Sequence, residues 1–217
     1  MLLFTALVLG AAHSFAPDHL AAIGVFVSGR PHWRRALTIG TRWGVGHAIV
    51  ILIIGGTLVL TGWRFPEDFA PAVERVVGIT LIALGGVALM RALRIHGHTH
   101  AHDGVPHWHL HSHRRSRQHD HHVHSAAFGM GMLHGLAGTG ALVIALPLAA
   151  TRSIPLSLGY LAAFGVGTVV AMAIFGALAG WAASRAARRS VMLIRATASV
   201  AALASVCVGA WWMIFAR

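Results

Sequence analysis

Six long apolar stretches leave this chain of 217 residues few ways to fold. They run approximately Leu2–Val27, Ala36–Thr61, Val73–Leu93, Ala126–Ala150, Leu156–Ala183 and Val191–Phe215. A helix of about 20 mostly apolar residues spans a bilayer. Hydrocarbon offers the backbone no hydrogen-bond partners, so only helices and closed barrels cross it; these runs are too long and too uniformly apolar for barrel strands. The expected fold is an all-α polytopic membrane protein with six transmembrane helices. Composition agrees: 56% of the residues are hydrophobic, 11% are charged, and mean hydropathy is +0.69. The first run lacks a positive leader and resumes after His19, which favours a membrane helix over a cleaved signal peptide.

The formal net charge is +11, and every positive charge is an arginine. The arginines gather at the ends of apolar runs, which indicates membrane orientation and not nucleic-acid binding. Thirteen lie on one side, among them Arg30, Arg34, Arg35, Arg114, Arg115, Arg188 and Arg189; Arg64, Arg75, Arg152 and Arg217 lie on the other. The positive-inside rule then puts the loop between the third and fourth spans in the cytoplasm and both termini outside, in a plasma (inner) membrane. The single cysteine, Cys207, excludes an intrachain disulfide and a cysteine zinc site, and is expected to pack in the core.

Inside the first run stands His13-Ser14-Phe15-Ala16-Pro17-Asp18-His19. Ionisable groups are expensive in hydrocarbon and mark functional sites there. Residues six apart on an unbroken helix point in different directions. Pro17 donates no hydrogen bond and clashes with the carbonyl four residues back, that of His13, and it pushes Ala16 out of helix. The expected break lets His13, Asp18 and His19 face one point. Imidazole with carboxylate suits nickel, cobalt or zinc. The competing view is that these histidines only bond neighbouring helices. His47, between glycines in the second span, and His134, in the fourth, are the next candidate metal ligands; Thr139 is a weaker one.

An internal repeat appears at an offset of 121 residues. His13 matches His134, Gly44-Val45-Gly46 matches Gly165-Val166-Gly167, Ile53 matches Ile174 and Gly55 matches Gly176. Pro17, Asp18 and His19 correspond to Gly138, Thr139 and Gly140. Three spans per half means that the halves enter the membrane in opposite senses, a recurring plan of secondary transporters. The expected organisation is residues 1–95 as the first three-helix repeat, 96–125 as a cytoplasmic His-rich loop, and 126–217 as the second repeat.

The loop holds twelve of the seventeen histidines. They alternate from His96 to His102 and from His107 to His113, and recur from His119 to His124. His-rich tracts bind metal. The segment is polar, interrupted by Gly104 and Pro106, and has no clear apolar face, so disorder without metal is expected. A solvated or pH-sensing linker is the alternative. No metalloprotease His-Glu-x-x-His pair, no Gly-x-Ser-x-Gly elbow and no phosphate-binding glycine loop occurs, so no enzymatic role is expected.

His13-x4-Asp18-His19 followed by Gly46-His47 resembles the signature of the nickel/cobalt transporter superfamily, which embraces permeases, urease-accessory membrane proteins and His-loop efflux proteins. Met132–Leu142 resembles the second-half motif, and the His-rich loop resembles the efflux branch. The chain differs from the larger permeases in showing six spans, not eight, and from the efflux branch in Pro17-Asp18-His19, where a glycine would precede the second histidine. The resemblance implies metal selection by His13, Asp18 and His19, with Ni²⁺ or Co²⁺ as transported substrate and no tightly bound cofactor. Efflux is slightly favoured over uptake. The expected partners are a divalent metal ion and the lipid bilayer, with a metallochaperone or a second copy as further candidates and no nucleic acid. Two alternatives remain open: a non-transporting accessory protein that delivers nickel to enzyme maturation, and a sulfite-type exporter of small anions.

Overall fold

The computed structural model describes residues 1–28, 32–63, 69–93, 96–102, 105–111, 120–137 and 153–215. Among them are helices α1 (Leu2–His13), α2 (Pro17–Ser28), α3 (Trp33–Thr61) and α4 (Phe69–Leu93), strands β1 (His96–His102) and β2 (Val105–His111), and helices α5 (Asp120–Ala137), α6 (Ile154–Arg189) and α7 (Val191–Phe215). Helices α3, α4, α6 and α7 are long and apolar enough to cross a membrane.

The expected first span is two helices of 12 residues each. Pro17 opens α2, where its fixed φ suits the first turn and its missing N–H is no loss. The carbonyl of His13, which Pro17 cannot serve, accepts instead from the Ala16 N–H at 3.0 Å, and the Ala12 carbonyl accepts from Phe15 at 3.0 Å. One tight turn therefore separates the helices without orphaning the backbone. Helix α3 ends at Gly62, whose φ of 67° lets its N–H close on the Leu58 carbonyl at 2.9 Å.

The expected fourth span, Ala126–Ala150, is described only as far as Ala137, the end of α5; residues 138–150, Thr139 among them, lie outside the described residues. Helix α5 starts at Asp120, inside the stretch expected to be loop. The expectation of a structureless His-rich loop is corrected: β1 and β2 pair antiparallel, His96 opposite His111 through His102 opposite Val105. Alternation of histidine with other residues has the period of a strand, and that period prevails over low hydrophobicity. Cys207 is also exposed and not a core residue.

Helices α3 and α6 pack along each other at the centre. Helix α1 lies on α6, α5 on α3, α2 on α7, and α4 on α7. One buried apolar cluster gathers Ile23, Trp43, Val77, Leu81 and Met172; another gathers Ala6, Ile51, Tyr160, Leu161 and Phe164. The outer surface carries Ile53, Leu60, Val166, Ile174, Leu178, Val200 and Trp211, whereas Ser14, Asp18, His19, His47, His134, Ser157, Thr168 and Ser205 are buried. Apolar outside with polar groups concealed inside is the distribution for a lipid solvent.

The close contacts recur at the offset found in the sequence. A Cβ on Gly10 would collide with the Phe164 carbonyl, and one on Gly131 with the Trp43 carbonyl. A Cβ on Gly167 would meet the Leu7 carbonyl, and one on Gly46 the Phe128 carbonyl. In each pair of contacts, moving both residues by 121 positions, one forward and one back, turns one contact into the other. These glycines let backbones meet at distances that any side chain would prevent.

Candidate metal centre

The site is built from four helix segments, each delivering one imidazole. His13 is the last residue of α1 and His19 lies in the first turn of α2, so the Pro17 turn separates two rings that a continuous helix would aim apart. His47 comes from the middle of α3, and His134 from the last turn of α5. The rings of His13, His19 and His47 form a near-equilateral triangle, with centroids 5.0, 5.1 and 5.2 Å apart. His134 joins at 5.3 Å from His19.

One nitrogen from each of His13, His19 and His47 lies within 4.8 Å of the other two. Nitrogens bound tetrahedrally at about 2.1 Å from a metal stand about 3.4 Å apart, so modest ring rotation converts the triangle into a ligand set. The polar inventory points the same way. His13 Nε2, His19 Nε2, both nitrogens of His47 and His134 Nε2 are buried without a hydrogen-bond partner. A buried polar atom left unpaired costs about 1–3 kcal/mol. Several converging on one point are explained by a ligand that they share.

Asp18 supplies the negative charge. Its Oδ1 lies 3.1 Å from His19 Nδ1, and its Oδ2 lies 3.9 Å from His134 Nε2. His134 Nδ1 faces the Met130 carbonyl at 2.9 Å, and since a carbonyl only accepts, Nδ1 carries the proton. In the neutral ring Nε2 is then a bare lone pair facing a carboxylate. A cation held between them would supply the missing positive charge.

All five residues expected as ligands are therefore drawn to one buried locus. His13, His19 and His47 form the triad, while Asp18 and His134 stand beside it. Sequence reasoning missed the frame behind them. Trp43 backs His134 at 4.8 Å between ring centroids, and Phe164 backs His13 at 5.6 Å. Trp43 and Phe164 are repeat mates, as are His134 and His13, so the offset of 121 could have found this frame. Thr168, wholly buried, occupies the position that matches His47.

Comparison with known proteins agrees with a multi-pass membrane protein. The family described as Cytochrome C biogenesis protein transmembrane region matches residues 3–211. The chain is 29% identical to Urease accessory protein UreH of Bacillus sp. (strain TB-90) over 195 residues, covering 84% of this chain and 77% of that protein. It is 30% identical over 180 residues to Chloroplast protein FOR GROWTH AND FERTILITY 1 of Arabidopsis thaliana, covering 82% of this chain and 49% of that one. Chloroplast protein FOR GROWTH AND FERTILITY 2 of the same plant is 29% identical over 179 residues. The chain thus spans about half the length of the two plant proteins. No solved structure matches it significantly. The transmembrane family and the urease accessory relative fit the nickel/cobalt transporter type that the His13-x4-Asp18-His19 motif resembles.

Proposed function

This chain belongs to the family described as Cytochrome C biogenesis protein transmembrane region, and on that premise we propose that it is a secondary transporter of a divalent transition metal, nickel or cobalt. The observation that carries this reading is the convergence of three imidazole donors within 4.8 Å inside an apolar helix bundle. Imidazoles with one carboxylate favour borderline ions such as Ni²⁺, Co²⁺ and Zn²⁺ over Mg²⁺ and Ca²⁺, which prefer oxygen. His13, His19 and His47 would replace the ion's water, His134 would complete the shell, and Asp18 would offset its charge. The ion is cargo, so loose ligation that a small rotation can open is an advantage.

The architecture we infer is two inverted three-helix repeats joined by the His-rich segment. The exchanged contact pairs Gly10–Phe164 with Gly131–Trp43, and Gly167–Leu7 with Gly46–Phe128, support it. The metal would sit where the halves meet, and rocking of one half against the other would expose it to each side in turn. The arginine distribution supports a plasma membrane location with the His-rich segment cytoplasmic and both termini outside. That segment favours efflux over uptake.

The likeness to a urease accessory protein supports a second reading, delivery of nickel to enzyme maturation without transport. Purified protein in sealed vesicles separates the two. A transporter moves Ni²⁺ or Co²⁺ across the vesicle wall down an imposed gradient, and Asp18→Asn abolishes that flux with little loss of folded protein. Binding without flux in the native protein leaves the accessory reading. Normal flux in Asp18→Asn removes the proposed site from the path.

A further inference from the structure

We propose that the buried face of α6 from Ser157 to Phe164 lines the ion's route between the imidazole triad and the outer side of the membrane, with the Phe164 ring as its gate. The route rests on the transport reading and adds to it the residues that the ion passes on its way to or from the site.

The α3–α6 interface has two unlike ends. Toward the arginine-rich end, backbone meets backbone. A Cβ on Gly40 would collide with the Met172 carbonyl, one on Gly176 with the Ala36 carbonyl, and one on Gly44 with the Val169 Cα. Among the described residues, no hydroxyl or ionisable side chain is buried between Ala36 and Gly44 or between Met172 and Gly180. Toward the other end, glycines face side chains: a Cβ on Gly55 would meet that of Leu161, and one on Gly56 that of Leu158. A side chain can change rotamer, whereas helical backbone is held by its own hydrogen bonds. Along this interface only the outer end can therefore open without parting the two helices.

The same end carries buried hydroxyls. Ser157 and Tyr160 are both buried, and their spacing from Phe164 puts all three on one face of α6. By helical rise Tyr160 lies about 4.5 Å deeper than Ser157, and Phe164 about 6 Å deeper again. Phe164 packs with Tyr160 and with Ile51 of α3, and its ring centroid lies 5.6 Å from that of His13. It is the last side chain on this face before the triad. The chemistry suits passage and not storage. Hydroxyl oxygen is a poorer ligand than imidazole for Ni²⁺ and Co²⁺, so an ion that has left the triad moves on without being held. A phenyl ring offers no lone pair, so while it covers His13 the ion stays with the imidazoles.

Two measurements on the full-length chain test the route. The first uses sealed right-side-out vesicles and a charged, membrane-impermeant thiol reagent, in a Cys207→Ser background that removes the native thiol. Ser157→Cys and Tyr160→Cys should react from outside, and excess Ni²⁺ should slow both. Ser205→Cys, at a wholly buried hydroxyl position on α7 facing α4, should not react. Tyr160→Cys no more reactive than Ser205→Cys, or labelling that Ni²⁺ leaves unchanged, overturns the route. The second measurement uses Phe164→Leu in detergent, which keeps most of the packing and loosens the gate. It follows Ni²⁺ held by the triad, taken as the part absent from His47→Ala. That Ni²⁺ should exchange with free Ni²⁺ about tenfold faster at nearly unchanged affinity, because a gate alters entry and exit alike. Unchanged exchange, or faster release matched by an equal loss of affinity, makes Phe164 a support for His13 and overturns the gate. Neither measurement needs flux. Labelling and exchange as expected in a chain that moves no Ni²⁺ would remove the transport reading and leave a route to a binding site.

Discussion

Ser14 and Thr168, 154 residues apart in sequence, lie at one acceptor. The Ser14 hydroxyl donates to the Gly10 carbonyl at 3.1 Å and the Thr168 hydroxyl reaches the same oxygen at 3.2 Å. Ser14 also lies 3.3 Å from the Thr168 carbonyl. The last turn of α1 is thereby tied to the middle of α6, one residue from His13. Thr168→Val keeps the shape and removes the hydroxyl's contact with the Gly10 carbonyl, leaving only that of Ser14 with the Thr168 backbone carbonyl. Interhelical bonds of this kind in membranes are worth about 0.6 kcal/mol on average, so the loss in stability should be small. The larger effect should fall on metal affinity, because the tie holds His13 in place. Equilibrium dialysis with Ni²⁺ should show affinity reduced by about threefold to tenfold with little change in the melting temperature. Unaltered affinity would make the tie purely structural.

Gly10→Ala and Gly131→Ala test the recurring contacts. Each adds a Cβ that collides with a backbone carbonyl, of Phe164 or of Trp43, and a carbonyl cannot rotate aside as a side chain can. Overpacking of this sort costs about 1–3 kcal/mol. Both variants should unfold at lower temperature in detergent, by similar amounts. A marked difference between them would show that the two contacts are not equivalent in energy.

Pro17→Ala tests the break. Alanine restores the N–H that α1 and α2 lack and is the best helix former, so the helices can fuse. Fusion would part His13 from His19, whose ring centroids now lie 5.0 Å apart. Thermal stability should hold or rise, while Ni²⁺ affinity should drop by more than tenfold. Retained affinity would mean that tertiary packing alone bends the chain here.

Trp43 offers an optical readout. It is wholly buried, with its ring centroid 4.8 Å from that of His134. Binding of Co²⁺ or Ni²⁺, both strong quenchers at short range, should quench its blue-shifted emission. Trp43→Phe keeps an aromatic backing, as Phe164 provides for His13, and should bind metal while losing that part of the quench. An identical quench in Trp43→Phe would place the metal elsewhere.

Much of this protein was legible before any coordinates. Uniform apolar runs of about 20 residues or more permit little but membrane helices. Pro17 dictated a local break, because a missing N–H and a steric clash act within one turn of the chain. The candidate ligands were visible because ionisable residues are so costly in hydrocarbon that few remain without a purpose.

The His-rich segment departs from the disorder expected of it for a reason that is also local. Its strict alternation has the period of a strand, and Asp103-Gly104 is a dipeptide that favours a two-residue hairpin connection. The expectation of disorder rests instead on the segment's polarity and on the interruptions at Gly104 and Pro106. Which residues stand behind the ligands belongs to the tertiary structure alone. Trp43 against His134, Phe164 against His13, and two hydroxyls on the Gly10 carbonyl are meetings between helices far apart in sequence. Such contacts depend on rotation and depth of packing, which apolar periodicity does not encode when a helix is apolar on every side. By itself the sequence determined that the chain spans a membrane, where its first helix breaks, and which side chains are worth burying. Packing of α1 and α3 against α6, of α5 against α3, and of α2 beside them decided that nitrogens of His13, His19 and His47 lie within 4.8 Å of one another, because glycine-thin contacts let the helix segments approach so closely.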